Sequence, residues 1–174
     1  MVQVKSNTVV GVGPRSAHIA GLKYSCYASM DDLSTGEIIF VKPKPNDIEE
    51  YVAIKCKNET YAITNTCAAN ALGRIPEGDY SYSDPATAKF ALEILGKKLG
   101  VSGAQVALSI LQNASFDITN EITKIIKEFE LEKSKVKLVG GGGGASVLAP
   151  FVAEQLQLQY DKADYAEVIS SIGV

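Results

Sequence analysis

Apolar residues repeat at helical spacing in the second half of the chain. Asp84 and Pro85 form a typical helix start, in which the aspartate caps the helix and the proline takes its first position. Gly100 is a typical stop. Between them, the apolar positions that follow the helical period are Ala88, Ala91, Leu92, Leu95 and Leu99. This pattern predicts one amphipathic helix between Asp84 and Gly100.

A second helical stretch follows directly. Ser102 is a favourable N-cap residue. The apolar face after it comprises Val106, Ile110, Leu111 and Ala114, and a similar stripe continues through Ile118, Ile122, Ile125, Ile126 and Phe129. The pattern fits one long helix, or two helices that meet at a bend near residues 115–117.

The first third of the chain carries short β-branched runs that are typical of strands. The strands predicted there span residues 8–12, 37–41, 51–56 and 61–64. Residues 57–60 form a hairpin loop between the last two strands, and the prolines of residues 42–47 indicate a surface loop. Residues 1–66 are thus predicted to be strand-rich, and residues 67–174 to be helix-rich.

The last part of the chain combines a strand, a glycine run and a helix. Residues 136–139 form an apolar run typical of a buried strand, and five consecutive glycines follow it. Residues 145–158 are predicted to be helical, with Pro150 in the first two turns. Residues 156–160 also fit a short strand that ends at Asp161. The order of the elements predicts an α/β architecture in which helices cover a mixed sheet.

Composition and charge describe an ordinary globular chain. Its 174 residues are 46% hydrophobic and 21% charged, and its formal net charge is -3. This acidic balance, with scattered lysines, argues against nucleic acid as a partner. The sequence lacks an apolar run of the ~20 residues that span a bilayer, and it lacks the pattern of a secretion signal. We therefore expect a cytoplasmic protein with no membrane partner.

Three cysteines and a single histidine limit the available metal and thiol chemistry. Cys26, Cys56 and Cys67 form no C-x-x-C pair, and His18 is the only histidine that could complete a zinc site. No base can be assigned to any of these thiols from the sequence. We expect reduced, buried, structural cysteines, and the sequence does not identify a metal.

The glycine run, Gly140, Gly141, Gly142, Gly143 and Gly144, admits two interpretations. The pattern Gly140-x-Gly142-x-x-Ala145 matches the dinucleotide fingerprint, with Asp161 near the position of the ribose-binding carboxylate. Against this interpretation, only residues 162–174 remain for further βαβ units, and five glycines satisfy the pattern in nearly any register.

Both interpretations share one physical feature. Residues without Cβ let the backbone approach a flat or anionic ligand closely, and amides at the N-terminus of the following helix can donate to its oxygens. A nucleotide is the natural candidate for such a ligand. The structural alternative is a flexible loop, or close packing of the strand against the helix.

Two other segments concentrate the rare polar residues of the chain among glycines and prolines. Residues 11–22 read GVGPRSAHIAGL, and residues 68–79 read AANALGRIPEGD. Together they hold both arginines and the only histidine. A hydrophobic core seldom concentrates such groups. The candidate site residues of these segments are Arg15, Ser16, His18, Asn70 and Arg74.

These two segments, the glycine run LVGGGGGAS and the final stretch ADYAEVISSIG match four blocks of one enzyme family in order and spacing. On them, the chain resembles the hydantoinase/oxoprolinase family, in its hydantoinase A-like branch, over nearly its whole length. The resemblance implies an actin/Hsp70-like ATPase fold, in which two ribonuclease-H-like lobes close on a nucleotide. It also implies ATP-dependent opening of a cyclic amide, such as a hydantoin or 5-oxoproline, with ATP and Mg²⁺ as cofactors.

The resemblance implies that the loop from Gly140 to Gly144, with Ala145, lies beside the adenosine. Arg15 is a candidate catalytic contact to a phosphate or substrate carboxylate, because a guanidinium offers paired donors; the alternative is a structural ion pair. His18 is either a catalytic proton shuttle or metal ligand, or a hydrogen-bonded scaffold group.

Three further residues are candidates for contacts with the substrate or a phosphate: Ser16, Asn70 and Arg74. Ser16 fits better as a helix cap than as a phosphate contact. Arg74 lies in a loop flanked by glycines, and anchoring of that loop is favoured over a contact with the nucleotide.

The resemblance also implies that the chain is only part of a nucleotide clamp. The family's Asp-x-Gly-Gly-Thr phosphate segment and its second glycine-rich phosphate segment do not occur in these residues. We therefore expect the C-terminal portion of a longer ATPase domain, whose partners are the missing N-terminal lobe and a hydantoinase B-type subunit. By itself, the chain is expected to bind nucleotide weakly and to turn over nothing.

Cys67 departs from the family pattern. Relatives of the oxoprolinase and carboxylase type carry an aspartate at about this place in a T-x-T-D-A-N block, where this chain reads TNTCAAN. Substrate preference therefore does not carry over from those enzymes. Two other functions stay open: a non-catalytic module that senses nucleotide or binds another subunit and, with less support, a dinucleotide-binding domain.

Overall fold

The computed structural model describes residues 4–5, 8–9, 22–42 and 51–169. Its strands are β1 (Val4–Lys5), β2 (Thr8–Val9), β3 (Lys23–Tyr24), β4 (Glu37–Val41), β5 (Tyr51–Lys55), β6 (Thr60–Ala62), β7 (Lys137–Gly140) and β8 (Gln159–Lys162). Its α-helices are α1 (Met30–Ser34), α2 (Asn65–Ala71), α3 (Pro85–Leu99), α4 (Gly103–Glu128) and α5 (Ala145–Leu156). Short 3-10 helices cover Ser25–Tyr27, Lys133–Lys135 and Ala166–Val168.

A mixed four-stranded sheet forms the centre of the fold, in the order β3-β6-β5-β4. Strand β3 runs parallel to β6, whereas β5 pairs antiparallel with both β4 and β6. Ile54 of β5 lies opposite Ile38 on one side and Tyr61 on the other. The predicted α/β architecture with a mixed sheet is confirmed. The strands of the described ranges nevertheless divide into three sheets, because β1-β2 and β7-β8 form separate pairs.

Helices α2, α3 and α4 pack together and against this sheet. The axes of α3 and α4 differ by 94°, and the turn between them is tight. A Cβ on Gly96 would lie 2.6 Å from the Val101 carbonyl oxygen, and a Cβ on Gly103 would lie 2.7 Å from the Glu93 amide nitrogen. Glycine is therefore required at both positions. The largest fully buried side chains include Val52, Ile54, Ile63, Leu92, Leu95, Ile110 and Leu111.

The predicted limits of α3 and the predicted start of α4 are confirmed by their caps. The Asp84 carboxylate accepts hydrogen bonds from the amides of Ala86 and Thr87, and Gly100 ends α3 with a positive φ of 73°. Ser102 and Gln105 form a reciprocal capping box at the start of α4. The sequence left open whether residues 102–129 form one helix or two, and the structure shows one helix, α4, of 26 residues.

Other elements differ from the prediction. Helices α1 and α2 were not predicted as separate elements, and Thr64, which was assigned to a strand, caps α2 by accepting a hydrogen bond from the Cys67 amide. Helix α5 ends at Leu156 because Gln157 has a positive φ of 55°, so the alternative strand near Asp161 is the one that forms. The predicted strand 8–12 is confirmed for residues 8–9, and its remainder lies outside the described residues.

Across the described part of the chain, no single helix is long and apolar enough to span a bilayer. The pair α3 and α4 meets the length and hydropathy requirement only when its two bent members are counted together.

Candidate ligand site at the glycine loop

The glycine run forms the loop of a β7–α5–β8 unit. The two strands are parallel, with Leu138 opposite Tyr160. Backbone hydrogen bonds fix the loop to the turn that follows β8: the Gly142 amide donates to the Ala166 carbonyl (2.6 Å), and the Ala163 amide donates to the Gly140 carbonyl (2.9 Å). The first part of the loop is therefore bonded into the fold rather than merely flexible.

Gly140 and Gly142 are explained by the protein itself, and Gly141 is closely packed. A Cβ on Gly140 would lie 2.8 Å from the Tyr160 hydroxyl oxygen, and a Cβ on Gly141 would lie 3.2 Å from Cγ2 of Ile169. Gly142 has a φ of 92°, which strains any residue with a side chain. Packing and backbone conformation thus account for Gly140 and Gly142 without a ligand, and Gly141 has little room for a side chain.

The last two glycines have no such requirement. Gly144 has a φ of -100° and a ψ of 10°, and a Cβ there would meet no atom within 4 Å. A Cβ on Gly143 would lie 3.5 Å from the Tyr80 ring, which is an ordinary contact distance. The fold therefore leaves open space at Gly144 and accommodates a side chain at Gly143.

Gly143 and Gly144 line a cavity of about 990 Å³. Such a volume is at the upper end of the range for small-molecule sites. The other lining residues are mostly aromatic, and they are Tyr24, Tyr27, Tyr61, Tyr80 and Tyr82 with Lys23, Thr66 and Ser81. We call this space the tyrosine cavity. Tyr80 is 74% exposed and Tyr27 is 53% exposed, so both rings are accessible to a ligand.

The segment that carries Tyr80 is tied to the loop by two neighbouring residues. Ser81 Oγ donates to the Gly143 carbonyl (2.8 Å). Asp79 accepts from the Ser81 amide (2.8 Å), from Ser146 Oγ at the start of α5 (2.6 Å) and from Lys162 Nζ (2.9 Å). Burial works to raise the pKa of Asp79, but the Ser146 and Ser81 hydrogen bonds and the Lys162 ammonium lower that pKa to about 2. Asp79 is therefore ionised near neutral pH.

Asn70, a predicted substrate or phosphate contact, is buried beneath this segment. Its side-chain amide donates to the Ser81 carbonyl (2.9 Å) and the Thr66 carbonyl (3.0 Å), and its oxygen accepts from the Ser83 amide (2.8 Å). The side chain is only 1% exposed. In this arrangement Asn70 fixes the backbone on either side of Tyr82, and a direct contact with substrate stays a prediction.

Arg74 contacts α5. Its guanidinium forms an ion pair with Glu154 and lies over the Phe151 ring, 4.8 Å from the ring centre. These contacts are those of an anchor for the loop. The predicted candidates Arg15, Ser16 and His18 lie outside the described residues, so the structure does not place them relative to the glycine loop.

The three cysteines are buried and unpaired by disulfides, as expected from the sequence. Ser25 Oγ donates to Cys67 Sγ (3.3 Å). Burial raises the pKa of Cys67, but hydrogen bonds from Cys26, Ser25 and Thr64 outweigh it, and the net shift is downward. The hydrogen bond with Cys67, together with burial, raises the pKa of Cys26. Neither thiol lines the tyrosine cavity.

Sequence reasoning missed several residues that build this site. Asp79 was quoted only as the end of the second segment, and Tyr80, Ser81, Ser146 and Lys162 were not considered. The available signal was the run DYSYS, residues 79–83, which begins at the last residue of that segment and places two tyrosines between small polar residues. A solvent-exposed aromatic beside such residues is typical of a binding surface.

The comparisons with known proteins identify a family. A search of curated proteins finds no significant match. The profile of the hydantoinase/oxoprolinase family, in contrast, matches residues 1–174. This match covers the whole chain and agrees with the four sequence blocks. The protein therefore belongs to the hydantoinase/oxoprolinase family.

Proposed function

We propose that this chain is the nucleotide-binding part of an ATP-dependent hydrolase that opens cyclic amides. Membership of the family indicates a hydrolase acting on cyclic amides. The observation that supports nucleotide binding concerns Gly143 and Gly144. At both positions the fold tolerates a side chain, and the backbone is open to the tyrosine cavity. A loop that omits Cβ atoms without a steric reason of its own favours close approach by a ligand.

The chemistry explains why a nucleotide is needed. Amide resonance makes the ring carbonyl a poor electrophile, and ATP supplies a phosphoryl group that turns the carbonyl oxygen into a leaving group. In this proposal, the residues of this chain bind and orient the nucleotide. The loop backbone at Gly143 and Gly144 lies against the ligand.

Magnesium is a separate matter. Within the described ranges, no group of three or more His, Cys, Asp or Glu side chains is close enough to hold a metal ion. Asp79, the carboxylate that braces the loop, is committed to Ser146 and Lys162. Since Mg²⁺ usually binds through one or two carboxylates together with the phosphates of the nucleotide, Mg²⁺ stays a prediction from the resemblance.

The actin/Hsp70-like lobe is part of the same proposal. Its support is the sequence resemblance, and a mixed sheet with helices is compatible with it. The expected partners, an N-terminal lobe and a hydantoinase B-type subunit, rest on the resemblance as well. In such an assembly, the β7–α5–β8 unit would supply the adenosine side of the cleft.

A dinucleotide-binding domain is the second candidate, because β7–α5–β8 is a parallel βαβ unit with the glycine run at its first turn. The carboxylate that would bind the ribose argues against it. Asp161 Oδ2 accepts from Lys137 Nζ (2.7 Å) on the neighbouring strand. A bound ribose would compete with this ammonium for the carboxylate.

Thermal unfolding with ATP, NAD and no ligand separates these candidates. A ligand that binds only the folded state stabilises it by mass action. At an ATP concentration about ten times the dissociation constant, we expect the melting temperature to rise by about 4 °C. NAD at the same concentration should change it little. A rise with NAD alone would favour the dinucleotide domain, and no rise with either would contradict nucleotide binding.

A further inference from the structure

We propose that the tyrosine cavity binds an uncharged planar ring, which stacks on the exposed face of Tyr80 and lies over the backbone of Gly144. This inference deepens the proposed function, because the base of a bound nucleotide is one source of such a ring. The other source is an aryl group carried by a cyclic amide substrate. The chemistry recognised is the same for both.

The position of Tyr80 is the first step. Its side chain is 74% exposed, although the backbone that carries it is rigidly held. The Ser81 amide donates to Asp79, the Ser81 carbonyl accepts from Asn70, and the Tyr82 amide donates to the Asp79 carbonyl (2.9 Å). A large aromatic ring is thus presented to solvent on a fixed segment, which is the arrangement of a stacking platform.

The glycine loop supplies the second wall. The Tyr80 ring packs beside Gly143, and next to it Gly144 leaves space that a Cβ would occupy. Both glycines line the same cavity as Tyr80. A planar group that stacks on the free face of Tyr80 would pass over Gly144, where only glycine lets a flat ligand reach the backbone.

The residues that line the tyrosine cavity offer little net charge, which favours an uncharged ring as the ligand. Partial burial raises the pKa of Tyr27, and burial with the hydrogen bond to Asp32 raises the pKa of Tyr61 to about 12, so these phenols stay neutral. The cation of the lining, Lys23, is paired with Glu59 (2.7 Å). The walls therefore offer aromatic faces, hydroxyl groups and peptide groups, which suit a planar ring with polar edges.

Ligand-observed NMR tests this inference, since saturation transfer detects binding at millimolar dissociation constants. The probes are ATP, ribose 5-phosphate, which lacks a base, 5-phenylhydantoin and hydantoin. We expect the strongest saturation on the ring protons of ATP or of 5-phenylhydantoin, and weak saturation on ribose 5-phosphate and hydantoin. The probe that responds identifies the source of the ring.

Variants of Tyr80 and Gly144 then test whether these two residues form the walls that contact the ring. We expect Tyr80→Ala to weaken binding of the responding probe about tenfold, and Tyr80→Phe to retain it, because stacking needs only the ring. Gly144→Ala should weaken binding by at least as much with an unchanged melting temperature. Phe116→Ala is the matched control, because Phe116 is an aromatic residue of similar accessibility, 54% exposed, that does not line the cavity.

The outcomes separate this inference from the proposed function. Tyr80-dependent binding of 5-phenylhydantoin without binding of ATP supports the inference and contradicts the nucleotide. Binding of ATP that neither Tyr80→Ala nor Gly144→Ala weakens supports the nucleotide and overturns the inference. Absence of saturation on either ring-bearing probe overturns the inference as well.

Discussion

Asp79 connects three segments that are distant in the sequence. Its carboxylate accepts hydrogen bonds from Ser81, from Ser146 at the start of α5, and from Lys162 at the end of β8. Its side chain is only 5% exposed, so these bonds replace nearly all of its hydration. Loss of one partner of such a buried carboxylate strongly destabilises the folded protein, because a charge is left buried and unpaired. Removal of the carboxylate together with its partners costs little stability.

The first prediction concerns the acid stability that Asp79 contributes. Its pKa falls from 3.8 to about 2 on folding, so the contribution is fully present above pH 3.8 and disappears as pH falls toward 2. The shift corresponds to about 2 kcal/mol at neutral pH. We expect Asp79→Asn to lower the free energy of unfolding by about this amount at pH 7, measured by urea denaturation.

A pH series provides the control for this prediction. The difference between the wild type and Asp79→Asn should shrink as pH falls from 4 toward 2. Asp164→Asn, which removes an exposed carboxylate, should change stability little at any pH. A difference between wild type and Asp79→Asn that stays constant down to pH 2 would show that the carboxylate is not held ionised by its neighbours.

At the scale of elements, local chemistry determines how much the sequence reveals. Both ends of α3 and the start of α4 were predicted because Asp84, Gly100 and Ser102 act within a few residues of their own position. The β4 strand, Glu37–Val41, was predicted with the same limits for a similar reason. Strong local signals are not overridden by packing in these elements.

Elements whose form depends on distant contacts were predicted less well. Helix α2 was not predicted as a separate element, because Thr64, its N-cap, was assigned to the end of a strand and the packing of α2 against α3 and α4 is not visible in the sequence. Strand β8 competes with an extension of α5 over the same residues, and its pairing with β7 decides the outcome. Residue periodicity contains no information about a partner strand 20 residues away.

The second prediction concerns the cap of α4. The Ser102 hydroxyl accepts from the Gln105 amide (3.2 Å), and the Gln105 side chain accepts from the Ser102 amide (3.0 Å). Ser102→Ala removes the first bond and exposes an unpaired amide, which costs about 1 kcal/mol in the free energy of unfolding. Urea denaturation measures the change. Ser134→Ala, which alters an exposed serine outside the α-helices, is the control and should cost less than about 0.5 kcal/mol; an equal loss in both variants would contradict a specific cap.

The whole molecule joins the β7–α5–β8 unit to the sheet and its helices through a small set of polar and aromatic contacts. Ser81 bonds the loop, Ser115 Oγ on α4 donates to Gln155 Oε1 on α5 (3.0 Å), and Arg74 reaches α5 from the end of α2. The sequence predicted the loop and the helix but not these connections. Each connection joins residues 40 or more positions apart, where a single sequence gives no spacing rule.

Two roles are open for Arg74, anchoring of its loop to α5 or contact with the nucleotide, and they predict opposite effects of a substitution on stability and on ATP binding. Its guanidinium lies over the ring of Phe151, which is 5% exposed, whereas its ion-pair partner Glu154 has a side chain that is 68% exposed. An exposed ion pair contributes little, and most of the value of the contact therefore lies in the packing of the guanidinium against the ring. Lysine keeps the charge and loses the plane.

We therefore expect Arg74→Lys to lower the free energy of unfolding by about 1 kcal/mol, and Glu154→Gln to lower it by less than about 0.5 kcal/mol. Urea denaturation of the two variants measures these losses. If Arg74 is an anchor, Arg74→Lys leaves the saturation of ATP protons unchanged at temperatures where the variant is folded. If Arg74→Lys keeps its stability and loses the saturation of ATP protons, Arg74 contacts the nucleotide instead. In that case ATP binding needs the guanidinium, whereas the contact between Arg74 and α5 does not contribute to stability.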